Sequence, residues 1–193
     1  MTTFILHGGK TSIDVPENEV FYSHFTDLVE KDEVKIIMCY WARNRNRWGA
    51  LFERDKLKVL KQTTKKVLFS VAESVEDLYT KLATHNVLYV SGGDAEPIEA
   101  YLPELTDLKK NLDGKVYLGS SMGAFIVSKN YVLSLDSQDT HSVHQGLGLV
   151  PISILCHWNM ETNKKEKMKL LTDYDNDTKI ITLDEGQTEI FRQ

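Results

Sequence analysis

Short continuous apolar runs alternate along this chain with stretches in which apolar residues recur every three or four positions. Runs of four to eight apolar residues bounded by turn signals suit buried strands, and the longer periodic stretches suit helices packed on one face. Thr3-Phe4-Ile5-Leu6 reads as a first strand, ended by His7-Gly8-Gly9. Val20, Phe21, Phe25, Leu28 and Val29 then follow a helical stripe, with Pro16 upstream where it does no harm. Val34–Met38 is a second strand and Trp48–Leu60 an amphipathic helix. Val67–Val71, the short helix Val75–Leu82 and the run Val87–Val90 continue the alternation, and Ser91-Gly92-Gly93-Asp94 closes the last of these. Ile98, Leu102, Leu105 and Leu108 form a helical stripe that Pro103 must interrupt or kink. Val116-Tyr117-Leu118 suits another buried strand, and Ala124–Val127 the helix that leaves it.

Further along the pattern loosens. Tyr131–Leu135 and Ile152–Leu155 read as strands, Lys164–Leu171 as a lysine-rich helix with a solvated face, and Ile180–Leu183 with Glu189–Phe191 as a closing hairpin around Glu185-Gly186. Strands that are apolar throughout and alternate with helices imply a mostly parallel sheet covered on both faces. The expected fold is therefore an α/β three-layer sandwich. Ligands of such sheets bind beyond the carboxyl ends of the strands, so chemistry should collect in the segments that follow each strand.

Four of those segments carry distinctive residues: His7-Gly8-Gly9, the arginine-rich Trp41–Trp48, Ser91–Asp94, and Gly119-Ser120-Ser121-Met122-Gly123. The last fits the G-x-S-x-G nucleophile elbow, in which glycines permit a sharp turn that lifts a serine oxygen over the sheet edge. It fits equally a Gly/Ser-rich turn with no chemistry. If it is an elbow, the amides at the following helix start, Met122 first, face an anion forming beside Ser121.

Composition narrows the class. The 193 residues allow one domain with a substantial core, spanning 1–193, and 41% apolar with 26% charged residues is ordinary for a soluble globular protein. A net charge of −5 gives no electrostatic reason to expect nucleic acid. No apolar run approaches the roughly 20 residues of a membrane span, and Met1–Gly9 lacks the marks of a signal peptide, so the expected location is cytoplasmic. Cys39 and Cys156 are too few and too far apart for a disulfide framework or a zinc site.

A serine needs a base to accept its proton, usually a histidine held by a carboxylate. His24 and His85 have polar neighbours, His141 and His144 sit in a polar stretch, and His7 ends the first strand. His157 ends the apolar run Pro151–Cys156, which puts an imidazole at the edge where ligands bind. Spacing alone leaves both catalytic and structural roles open to it.

Taken together, these residues resemble the peptidase E family of serine peptidases, which includes aspartyl dipeptidase and is related to cyanophycinase and to the class I glutamine amidotransferase-like, flavodoxin-like folds. Val90–Asp94 is similar to the family's strand ending in Gly-Gly-Asn, Gly119–Ala124 to its Gly-x-Ser-Ala-Gly-Ala elbow, and Leu149–His157 to its segment of hydrophobic residue, proline and catalytic histidine. Leu183-Asp184-Glu185-Gly186 resembles its Leu-Pro-Glu-Gly turn. The resemblance implies Ser121 as nucleophile, His157 as general base and then acid, Glu185 as the carboxylate that orients His157, and the amides of Gly93 and Met122 as the oxyanion hole. Met122 and Asp94 depart from the family's alanine and asparagine, and Asn163 stands where aspartyl dipeptidase has an arginine after Glu-Thr, so a preference for amino-terminal aspartate does not follow.

Alternatives remain. Asp136 or Asp139 would give the order Ser, Asp, His of α/β-hydrolases, and His7-Gly8-Gly9 resembles the oxyanion loop of lipases and esterases, although it lies far upstream of the elbow. Arg43, Arg45 and Arg47 follow the second strand, where a guanidinium could hold a substrate carboxylate or merely be solvated. The resulting expectation is a serine exopeptidase, dipeptidase-like, acting on short peptides without metal or cofactor, away from nucleic acid and membrane, as a monomer or homodimer. The rival expectations are a non-catalytic binding relative of the same fold and an esterase-like hydrolase.

Overall fold

The computed structural model describes residues 1–134 and 139–193. Strand β1 (Thr3–His7) leads through helix α1 (Pro16–Asp27) to β2 (Glu33–Cys39), then α2 (Trp48–Lys61), β3 (Lys66–Val71), α3 (Val75–Leu82) and β4 (Val87–Val90). Short helices α4 (Ala95–Glu99) and α5 (Leu108–Asn111) precede β5 (Val116–Ser120), and the single turn α6 (Met122–Phe125) leaves it. The remainder comprises β6 (Asn130–Tyr131), β7 (His144–Gln145), β8 (Ile152–Leu155), α7 (Lys164–Tyr174), β9 (Lys179–Thr182) and β10 (Thr188–Arg192).

The main sheet has the order β10-β1-β5-β4-β2-β3. Its five inner-to-edge strands from β1 to β3 are parallel, and only β10 runs antiparallel, against β1. Every residue of β4 and β5 is buried, as expected for central strands covered on both faces. Burial of each large apolar side chain there contributes about 1.5–3 kcal/mol relative to leaving it exposed. This is the α/β layered arrangement with a mostly parallel sheet that the alternating pattern implies.

Tertiary structure corrects several local expectations. The segments around Glu185 do not form a hairpin. β9 pairs with β8 in a second sheet ordered β7-β6-β8-β9, whereas β10 closes the edge of the first, so the chain changes sheets across the Glu185 turn. The stripe from Ile98 to Leu108 is not one helix but α4, a 3-10 turn at Leu102–Glu104 and α5, with Pro103 in the 3-10 turn. The helix after the elbow is only one turn long. The strand expected at Tyr131–Leu135 shortens to β6, and Leu135 lies outside the described residues. Val20, read as part of the α1 stripe, faces outward, as do Leu57 and Leu60 of α2. The buried face of α2 is instead Trp48, Leu51, Asp55 and Val59, with a carboxylate inside it. The lysine-rich helix is not solvated throughout either: Lys167 is 2% exposed and bonds to Glu161 and to the Leu133 carbonyl.

Register places the site. β1 and β5 pair from Thr3↔Val116 to His7↔Ser120, and the Ser121 amide extends the ladder by donating to the His7 carbonyl at 2.9 Å. β4 runs beside β5 to Val90↔Gly119. The loops after β1, β4 and β5 therefore emerge side by side.

Candidate active site

Ser121 stands between β5 and α6 with φ 50° and ψ −109°, a conformation that costs a non-glycine residue on the order of 1–3 kcal/mol and persists only where the surroundings impose it. The imposing contact is close packing of the elbow against the sheet. A Cβ on Gly123 would lie 2.1 Å from the Val90 carbonyl oxygen, so only glycine lets α6 start directly over β4. Sharp exit from the strand then presents the Ser121 hydroxyl at the sheet edge.

His157 follows β8 in the left-handed conformation, φ 54°, and its amide donates to the Gly8 carbonyl at 3.0 Å. Its Nε2 lies 3.0 Å from Ser121 Oγ and its Nδ1 2.9 Å from Glu185 Oε1. Both His157 and Glu185 are about four-fifths buried, at 19% and 17% side-chain exposure. The Glu185 turn is fastened in turn: its amide donates to Asn159 Oδ1, and the Gly186 amide to the Gly9 carbonyl. With Nδ1–H donated to the carboxylate, Nε2 is free to accept the Ser121 proton.

The His7-Gly8-Gly9 motif serves these loops rather than forming an oxyanion loop of its own. His7 is buried; its Nδ1 accepts from the Gly9 amide and its Nε2 bonds Asn18 Oδ1 at 2.9 Å, which defines a neutral ring. Burial, opposed by the Asn18 bond and assisted by the nearby His157, holds its pKa down to about 4. Gly9, at φ 112°, lies flat against His157: a Cβ there would meet the imidazole Cε1 at 2.3 Å.

Beside the elbow, the loop after β4 presents Gly93. The Gly92 carbonyl accepts from Arg43 Nε at 2.6 Å and from Ser91 Oγ at 3.1 Å. The trans peptide sets the N–H of Gly93 on the side opposite that carbonyl, so Arg43 and Ser91 fix the direction of the Gly93 amide. Among the described residues, neither the Gly93 nor the Met122 amide donates to another protein group.

A cavity of about 440 Å³ joins these parts, lined by Ser121, His157, Glu185, Gly92, Gly93 and Arg43 together with Lys10, Arg54, Asp94, Ser134, Met160 and Glu161 among others. Of the residues singled out in the sequence, Ser121, His157, Glu185, Gly93 and Arg43 thus converge on this cavity, and Met122, directly after Ser121, is buried beneath it in the core. Arg45 and Arg47 do not line the cavity; Arg45 pairs with Glu73 and lies over the Trp48 ring, and Arg47 is exposed. Asn163 also lies outside it, at the start of α7, while its neighbour Glu161 reaches the wall. Asp139 is tied to the His141 and Ser142 amides and is exposed, and Asp136 lies outside the described residues. Cys156, next to His157, is buried, and burial pushes its thiol up and disfavours the thiolate. Arg54 was invisible to sequence reasoning because it sits inside a helix, with no motif around it.

The profile of peptidase family S51 matches residues 4–192. The chain belongs to that family. It is 28% identical over 129 residues to an uncharacterized peptidase of Listeria monocytogenes serovar 1/2a, covering 62% of this chain and 63% of that one. An uncharacterized peptidase of Listeria innocua serovar 6a is 27% identical over the same length, so the match spans less than two thirds of either relative. Among solved structures, a peptidase from an acI-B1 Actinobacterium superposes with a TM-score of 0.72 at 18% identity, covering 99% of this S51 chain and 83% of that one. A protein from Listeria monocytogenes EGD-e, provisionally named a peptidase E, gives 0.62 at 20% identity over 100% and 98%. Both share the fold. Among the described residues no helix is long and apolar enough to cross a membrane.

Proposed function

We propose that this S51 chain is a serine exopeptidase that hydrolyses short peptides through an acyl-enzyme on Ser121. The observation that carries the reading is the unbroken chain Ser121 Oγ, His157, Glu185, at 3.0 and 2.9 Å, ending on a serine held in a strained elbow. Family membership supports peptidase chemistry. The cavity, about 440 Å³ in volume, falls within the range of small-ligand sites and suits a short peptide.

In this mechanism Ser121 Oγ attacks the scissile carbonyl carbon while His157 Nε2 takes the hydroxyl proton. The carbonyl oxygen becomes an oxyanion and is held by the amides of Met122 and Gly93, each such donor being worth about 3 kcal/mol in comparable sites. Collapse breaks the C–N bond, and the proton on His157 goes to the leaving amine. A water molecule then attacks the ester, His157 takes a proton from it and returns one to Ser121, and the carboxylic acid product leaves. Glu185 keeps Nδ1–H in place and stabilises the imidazolium between the two steps.

The test is turnover of a panel of dipeptides and tripeptides with acidic, neutral and basic amino-terminal residues, by the parent protein and by Ser121→Ala, alongside labelling with a fluorophosphonate. Cleavage and labelling that both vanish in Ser121→Ala are expected. Absence of both in the parent protein would abandon the peptidase reading for a ligand-binding relative of the same fold.

A further inference from the structure

The part of the cavity wall that α2 supplies is built on an unusual support. Asp55 of α2 is completely buried, yet each of its oxygens is satisfied: Oδ1 accepts from the Tyr22 hydroxyl at 2.8 Å and from Arg54 Nε at 2.8 Å, with Arg54 Nη2 2.6 Å away in the ion pair, and Oδ2 accepts from the Tyr40 hydroxyl at 3.1 Å. Burying a carboxylate is costly, and packing alone would favour an apolar residue at this position of the α2 stripe. What the arrangement achieves is to clamp one guanidinium.

Arg54 lines the cavity, with its side chain 32% exposed. An arginine carries five N–H donors in a planar fork. Asp55 engages the edge made by Nε and Nη2, so the outer edge made by Nη1 and the second Nη2 hydrogen has no partner among the described residues. An outer guanidinium edge of this kind matches the two oxygens of a carboxylate. Locking the side chain in advance removes much of the entropy cost of ordering it when a ligand arrives.

We infer that Arg54, clamped by Asp55, which Tyr22 and Tyr40 hold in turn, is the subsite that binds a carboxylate of the peptide substrate; this rests on the peptidase reading of the same cavity. The other cations on the wall are placed differently. Arg43 spends its Nε on the Gly92 carbonyl, and Lys10 is an exposed point charge. Of the carboxylates on the wall, Glu161 is tied to Lys167 and the Asn163 amide and Glu185 to His157, while Asp94 is exposed and forms no ion pair with Arg54. Because Asp55 already balances the Arg54 charge, this subsite supplies geometry, and the longer-range attraction comes from Lys10 and Arg43. A carboxylate on a short peptide has two sources, its free carboxyl terminus and an acidic side chain.

The experiment compares Arg54→Lys and Arg54→Gln with the parent protein on matched peptides: free acid against carboxyl-terminal amide, and Asp or Glu against Asn or Gln. Arg54→Lys keeps a positive charge beside Asp55, so it folds, but it loses the planar fork. The expected result is a tenfold or larger rise in KM for carboxylate-bearing substrates, with kcat little changed and fluorophosphonate labelling of Ser121 intact. A rise restricted to free acids assigns the terminal carboxylate, and one restricted to Asp or Glu peptides assigns the side chain. A KM change equal for charged and uncharged substrates, or none in the lysine variant, overturns the inference and reduces Arg54 to a counter-ion for Asp55. Calorimetric binding of the same free-acid and amide peptides to Ser121→Ala and Ser121→Ala/Arg54→Lys reads the subsite without turnover. Should the parent protein prove inactive, a free-acid preference lost with Arg54 still upholds the subsite, and equal binding of acid and amide rejects it.

Discussion

Adding one methyl group at Gly9 separates the geometry of the site from its chemical inventory. Gly9→Ala leaves Ser121, His157, Glu185 and the Gly93 and Met122 amides proposed to hold the oxyanion in the protein, yet its Cβ would stand 2.3 Å from His157 Cε1 and 2.4 Å from Nε2. Relief to ordinary van der Waals separation requires the imidazole to retreat by about 1 Å. The Ser121 to Nε2 contact, now 3.0 Å, is the one that such a retreat stretches or misaligns. The Gly9 backbone cannot yield cheaply, because φ 112° is itself a strained region for alanine, costing on the order of 1–3 kcal/mol. A misplacement of about 1 Å at a catalytic group costs about a hundredfold in rate, so kcat should fall by about that factor or more while KM changes little. The assay is peptide turnover together with the second-order rate of fluorophosphonate labelling, which reports Ser121 activation without reference to any substrate. Circular dichroism and a thermal melt establish that the variant is folded. A folded Gly9→Ala protein that labels and turns over at the parental rate would refute both the assigned position of His157 and the role given to the His7-Gly8-Gly9 loop.

Glu185→Gln should lower kcat by about a thousandfold or more with little effect on KM, whereas Asp139→Asn should leave turnover near the parental value; the reverse order would move the orienting carboxylate. Arg43→Ala frees the Gly92 carbonyl and should reduce kcat about tenfold or more through the Gly93 amide, with Ser121 labelling by a neutral probe reduced in parallel. His7 makes stability depend on pH. Its folded pKa of about 4 lies below the ordinary 6.5, so its contribution is complete above pH 6.5 and is lost as pH falls towards 4, about 3 kcal/mol in all. Urea midpoints measured between those limits should fall less steeply in His7→Gln than in the parent, and identical slopes would exclude the buried neutral ring. Lys167→Met strands the buried Glu161 carboxylate and should destabilise by about 3–5 kcal/mol, while Lys169→Met, on the exposed face of the same helix, should hardly move the denaturation midpoint.

Much of the fold was legible because its signals are local. A buried parallel strand announces itself as a run such as Val87–Val90, and the turn that ends it as Ser91-Gly92-Gly93, within a span of ten residues. The elbow is likewise written into Gly119–Gly123, since a strained serine between two close-packed positions demands glycine on either side. His157 could be nominated from its place after Ile152–Leu155, and Glu185 only by resemblance, because nothing adjacent to it distinguishes it from Asp136 or Asp139.

Tertiary structure decided what depends on which elements meet. Helical and strand periods tell which residues share a face but not what that face adjoins, so Arg43, Arg45 and Arg47 looked equivalent although only Arg43 turns towards Gly92. The same limit hid Asp55 and Lys167, charged residues in amphipathic helices whose burial depends on partners up to 34 positions away in the chain. It also made the last two strands look like a hairpin, because apolar strands flanking a glycine turn pair locally unless better partners exist. β8 and β1 were those partners, and by drawing β9 and β10 into different sheets they left the intervening turn to carry Glu185 against His157. Local sequence thus specified the pieces that bend and the residues able to react, while the long-range pairing of strands determined which of those residues stand within a hydrogen bond of one another.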